Sequence, residues 1–102
     1  MPTRVVFRKF RDNGSIIALF PQIPWDVWGN QCASYMHVGQ HSGADPHLSG
    51  ATVPAKPAEY APLLRELKKI GYRGLVVGMK VTRQDDQIRM AAAAKNRKTR
   101  RK

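Results

Sequence analysis

Two apolar runs, Arg4–Phe10 and Ser15–Phe20, flank Asp12-Asn13-Gly14-Ser15, and this arrangement constrains the fold more than any other stretch of the chain. Asn-Gly between β-branched and aromatic segments favours a two-residue type I′ turn, because both central residues must take positive φ. With Asn13 and Gly14 in that turn, Phe10 faces Ile17, Arg8 faces Leu19 and Val6 faces Pro21. Successive strand residues point to opposite faces. One face of the ribbon therefore carries Val6, Phe10, Ile17 and Leu19, and the other Val5, Phe7, Ile16, Ala18 and Phe20. Both faces are apolar. One is expected to meet a helix, and the other a loop or a second copy of the chain.

Pro21 and Pro24 end the second strand, and Trp25–Asn30 reads as an irregular connection holding both tryptophans. Such a loop closes the edge of a core or presents an aromatic contact surface, such as a base-stacking platform. Cys32 to Gly39 reads as a third strand, with Ala33, Tyr35 and His37 alternating against Cys32, Ser34, Met36 and Val38. Residues 40–53 are dominated by Gly, Ser, Ala, Asp, Pro and His, the composition of a surface loop. Pro57–Ile70 reads as a helix. Tyr60, Leu63, Leu64, Leu67 and Ile70 fall on one stripe, opposite Arg65, Glu66, Lys68 and Lys69. Pro57 suits the first turn and Gly71 the C-terminal cap, whereas Pro62 conflicts with a helix interior. A fourth strand follows through Leu75, Val77, Met79 and Val81. The expectation is an α+β fold: a small antiparallel or mixed four-stranded sheet (β-β-β-α-β), one packed helix and a basic C-terminal tail. Residues 1–82 form the compact domain in this reading. Residues 83–102 form an Ala-rich, partly helical or disordered tail, with Asp85 or Asp86 as its helix cap.

Charge narrows the class of partner. The 102 residues carry 18 Lys and Arg against 7 Asp and Glu, a net +11. Six of those basic groups lie in Lys95–Lys102, which leaves the rest of the chain twelve against seven, or +5. A balance of this kind favours polyanions, nucleic acid first. Lys95, Arg97, Lys98, Arg100, Arg101 and Lys102 are the candidate phosphate contacts, giving salt-sensitive and sequence-poor affinity. No apolar run approaches a membrane span, and the opening Met1-Pro2-Thr3-Arg4 has no signal-peptide pattern. The single cysteine, Cys32, forms no internal disulfide. These features lead to the expectation of a cytoplasmic protein, and the two apolar ribbon faces leave room for a homo-oligomer.

The stretch Ser34–Asp45 gathers the side chains most suited to a site. Tyr35, His37, Gln40, His41 and Asp45 offer stacking surfaces and hydrogen-bond groups for a nucleotide, peptide or protein partner. Cys32, His37, His41, Asp45 and His47 are the conceivable metal ligands. On a strand, however, Cys32 and His37 point to opposite faces, and His37 and His41 lie about 13 Å apart. Zinc needs its ligands within ~2.3 Å. His37 or His41 suits proton transfer, yet no nucleophile elbow, phosphate loop or dinucleotide fingerprint accompanies them. The reading is therefore non-enzymatic, with no metal and no cofactor.

Three blocks act together as a signature: Phe7–Pro21, then Ser34–His41 with Ala44-Asp45, and Glu59-Tyr60 leading to Leu67 and Gly71-Tyr72. In these blocks the chain resembles a group of short uncharacterised proteins carried by phages and integrative elements. The likeness spans residues 4–72, and it implies a mobile element inside a bacterial host cell, without any catalytic residue to transfer. The leading expectation is a phage or mobile-element binding protein that contacts nucleic acid or a nucleoprotein. The alternatives are an inhibitor of a host defence system, acting on a nucleic-acid-processing protein or a nucleotide messenger, and a metal-assisted hydrolase.

Overall fold

The computed structural model describes residues 2–36, 40–47 and 50–100, except the side chains of Gln40 and Arg100. The hairpin pairs β1 (Thr3–Phe10) with β2 (Ile16–Pro24). Its register is Val6↔Leu19, Phe7↔Ala18 and Arg8↔Ile17, two residues away from the type I′ expectation. The turn is a longer one. Phe10 N–H donates to Ser15 O at 2.9 Å, and Gly14, at φ 74°, donates its N–H to Phe10 O at 2.9 Å. Asn13 spends its side chain locally, with Oδ1 accepting from Ser15 N–H at 2.9 Å. Because strand side chains alternate with period two, a two-residue shift leaves each on its original face.

Those two faces build two cores. Val5, Phe7, Ala18 and Phe20 pack with Tyr35, Leu63 and Leu67, while Val6, Ile17 and Leu19 pack with Cys32. The first core lies under α1 (Pro57–Lys69), which buries Leu63 and Leu67. Pro57 occupies its first turn, and the Glu59 carboxylate accepts from Lys56 N–H at 2.9 Å. Pro62 is tolerated at an exposed position, and Ile70 lies outside the core at 51% exposure rather than on the buried stripe.

The class is α+β, but the four-stranded sheet with one packed helix and a basic tail is overturned. The sheet has six strands, and a second helix, α2 (Arg83–Arg100), packs on β2 across the face opposite α1. β3 (Cys32–Met36) pairs with β2, and β4 (Gln40–Ala44) extends the sheet beyond it, both antiparallel. On the far side, β1 lends one edge to two short strands. β5 (Thr52–Pro54) runs antiparallel beside Arg8–Phe10, and β6 (Leu75–Gly78) parallel beside Thr3–Val6. The strands β4 and β5 fall in the stretch that composition assigned to a loop. The residues of β4 have weak β preference, which ladder hydrogen bonds to a formed neighbour override, whereas Thr52 and Val53 of β5 are strand formers in a run too short to stand out.

The second helix holds by polar anchors. Thr82 is its N-cap: Thr82 Oγ1 accepts from Asp85 N–H at 3.1 Å, and Asp85 Oδ2 accepts from Thr82 N–H at 2.8 Å. This is a reciprocal capping box with Asp in the third position. Arg4 on β1 then clamps Asp85 in bidentate fashion, with both N–H···O distances 2.8 Å, and Gln22 Nε2 adds a third donor at 2.9 Å. One turn on, buried Arg89 donates to Gly29 O at 2.7 Å and Pro21 O at 2.8 Å. Its Nη2 also lies 2.9 Å from Asp86 as an ion pair. Ala93, one turn further, is buried. Asp85, Arg89 and Ala93 thus form a stripe at four-residue spacing facing the β1–β2 ribbon and the Trp25–Asn30 connection.

Candidate nucleic-acid interface

The histidine-bearing stretch divides between the two sides of the sheet. Tyr35 is buried in the α1 core and its hydroxyl donates to Glu66. His41, opposite Tyr35 in the β3–β4 ladder, meets its ring edge-on at a centroid distance of 4.7 Å. His41 Nε2 also lies 2.9 Å from the Tyr72 hydroxyl, and Tyr72 stacks on Phe20. Tyr35 and His41 are therefore brought together, with His41 at the surface. Asp45 and His47 instead turn towards α2. Asp45 Oδ1 accepts from His47 N–H at 2.9 Å, and His47 Nε2 lies 2.8 Å from Asp86 Oδ2. His37, Arg101 and Lys102 lie outside the described residues, as do the side chains of Gln40 and Arg100. Cys32 is buried, and burial pushes its thiol up to about 11, which leaves little nucleophilic thiolate near neutral pH. Among the described residues no three of His, Cys, Asp and Glu gather as a metal-binding group. No described helix is long and apolar enough to cross a membrane.

The stronger site lies where the tryptophan loop meets the end of α2. Trp25 N–H donates to Gln31 O at 2.9 Å and closes the loop at its base. Asp26 Oδ1 accepts from Gln31 N–H at 2.8 Å, and this backbone bond holds the Asp26 carboxyl below its ordinary range. Gly29 forms the underside, where φ is 78° and a Cβ would sit 2.9 Å from the Ala93 methyl. Any side chain there would lift the loop off α2. The Arg89 bond to Gly29 O secures the same contact from the helix side.

What the loop presents is aromatic and exposed, with Trp25 at 50% and Trp28 at 63%. Two such rings are unusual at a surface and mark a contact region. Arg97, three turns beyond the Asp85 anchor, reaches back over them. Its guanidinium lies 4.7 Å from the Trp28 ring centroid, and Nη1 donates to Val27 O at 2.9 Å. Lys95 and Lys98 stand exposed beside it, at the helix end where the dipole favours cations. Trp25 lies across Gly43 of β4, where an added Cβ would meet its ring at 2.2 Å. Between the loop and α2 is an open pocket of about 450 Å³, lined by Trp25, Asp26, Gln31, Asn96 and Arg97 among others.

A second basic strip, Arg65, Lys68 and Lys69, lines a shallower groove along α1. It has no tryptophan near it. Of the basic positions expected from the sequence, Arg97 alone is joined to an aromatic surface among the described residues. The meeting of Trp25, Trp28 and Arg97 escaped the sequence reading because 69 residues separate Trp28 from Arg97. The signal that would have found it is the Thr82-x-x-Asp85 box, which starts a helix long enough to return to the loop. No family model, curated protein or solved structure matches this chain.

Proposed function

We propose that this chain is a non-enzymatic nucleic-acid-binding protein whose interface is the tryptophan loop together with the basic end of α2. In the mobile-element setting implied by the resemblance, its partner is the element's or the host's own nucleic acid. The observation that carries this reading is the Arg97–Trp28 pair. An exposed indole and a cation are held together by the Val27 carbonyl, with Lys95 and Lys98 alongside. Phosphates take lysine and arginine, whereas bases take flat rings, and proteins that bind strands without strong sequence preference combine both.

The charge balance supports the same reading. Among the described residues Lys9, Arg4 and Arg89 pair with Glu59, Asp85 and Asp86, so at least three of the seven acids are already neutralised within the fold. The α2 end keeps its positive charge for an outside partner.

The test is fluorescence anisotropy of a labelled oligonucleotide with the full chain at salt concentrations from about 50 to 200 mM, where phosphate-driven binding weakens steeply. Affinity is expected to fall log-linearly with salt. Lys95→Gln with Lys98→Gln should lower the slope by about 1.4, since each single-strand phosphate contact contributes ~0.7. Absence of binding at the low-salt end sinks the reading, and an unchanged slope removes α2 from the interface. An exposed tryptophan pair that binds no oligonucleotide would point instead to a protein partner.

A further inference from the structure

Resting on that reading, we infer that the pocket between Trp25 and the last turns of α2 is a subsite for one unstacked base, which makes the protein selective for single strands. Its volume, about 450 Å³, lies within the range of small-molecule sites and exceeds what one flat heteroaromatic ring requires. Trp25 supplies a stacking wall whose position is fixed, because its indole rests on Gly43 where no side chain intervenes. A base in a duplex has both faces stacked and its pairing edge occupied, so only an unpaired or extruded base can enter such a slot.

The polar lining suits a base edge better than a phosphate. Gln31 and Asn96 each bring a carboxamide, a donor and an acceptor on one planar group, and such groups bond base edges in pairs. Among the described residues neither carboxamide is spent on a side-chain hydrogen bond. Asp26 stands at the same pocket as a carboxylate, and its charge disfavours a phosphate inside. Arg97 lines the same pocket from α2, where it can meet the phosphate of the nucleotide whose base is held. A carboxylate on the loop and cations on the helix set the orientation: base in, backbone out along α2.

The experiment compares a single-stranded oligonucleotide with a duplex of equal length, for the full chain and for a Gln31→Ala, Asn96→Ala variant. Both side chains are exposed, so the fold should survive, and an unchanged thermal midpoint verifies that. The unaltered chain should bind the single strand at least tenfold more tightly. The variant should lose roughly tenfold on the single strand, the scale of one base-edge contact, and keep its duplex affinity. Full retention of the single-strand preference would overturn the subsite while leaving nucleic-acid binding intact. Equal loss on both forms would overturn it as well, since the carboxamides would then serve general contacts. No binding of either form by the unaltered chain would remove the subsite together with the reading beneath it.

Discussion

The two helices cover opposite faces of one sheet by opposite means. α1 buries leucines: Leu63 and Leu67 fill the core formed by Phe7, Ala18, Phe20 and Tyr35. α2 buries charge: Asp85 is 1% exposed and Arg89 4%, and each is bound to a partner far away in sequence. Apolar packing is forgiving of direction but indifferent to which loop lies nearby. A buried guanidinium that donates to Gly29 O and Pro21 O fixes a particular loop in a particular place. The difference teaches why the tryptophan loop belongs to α2 and not to α1. The loop's backbone supplies part of what neutralises the helix anchor.

The largest effect should come from breaking that anchor. Arg89→Ala leaves the Gly29 and Pro21 carbonyls without their donor, and at roughly 2 kcal/mol for each stranded buried acceptor the loss is about 4 kcal/mol. Leu67→Ala should cost about 3 kcal/mol through the cavity it opens. Denaturant unfolding gives both magnitudes, and hydrogen exchange separates them. Arg89→Ala should expose the amides of Gly29 and Gln31, whereas Leu67→Ala should leave that loop protected. Similar exchange patterns for the two variants would erase the distinction between the helices.

A gentler way to sharpen the contrast is acid. Burial raises the Asp85 pKa, but hydrogen bonds from Arg4, Thr82 and Gln22 outweigh it and hold the group below its ordinary value. Asp86 is likewise held down, against burial, by His47 and Arg89. A depressed folded-state pKa contributes stability above the unfolded value, near 4, and loses it as pH falls through the folded value. Glu59 at the start of α1 is held down as well, by Lys9, but α2 carries two such groups against this one, so the α2 side should loosen before the α1 side as pH drops below about 4. Tryptophan emission reports the first event and amide exchange in α1 the second. Simultaneous loss of both would contradict it.

The part of this architecture written plainly in the sequence is the part held by apolar period. The division of Val5, Phe7, Ala18 and Phe20 from Val6, Ile17 and Leu19 follows from alternation alone, and α1 follows from its leucine stripe. The hairpin register does not follow, because Asp12-Asn13-Gly14 also suits a four-residue loop, and the local bond from Ser15 to Asn13 favours that loop. β4, Gln-His-Ser-Gly-Ala, has almost no strand preference, and only pairing with β3 makes it a strand. The packing of α2, expected only as a partly helical tail, was hidden for a different reason. Its buried stripe reads as Asp, Arg and Ala, which looks like a solvated face until Arg4, 81 residues upstream of Asp85, is known to meet it. For the site, composition pointed to the basic run and noticed the tryptophans, but their contact is a tertiary fact.

The most direct test of the central claim is intrinsic fluorescence, because the chain's two tryptophans, Trp25 and Trp28, both lie in the proposed interface. Titrating the full chain with an unlabelled single-stranded oligonucleotide at low salt should quench the emission, saturating at the concentration at which a labelled strand saturates by anisotropy. Replacing Trp28 with Phe should remove part of the quench. Oligonucleotide binding with unchanged emission would place the nucleic acid elsewhere on the molecule and contradict the account.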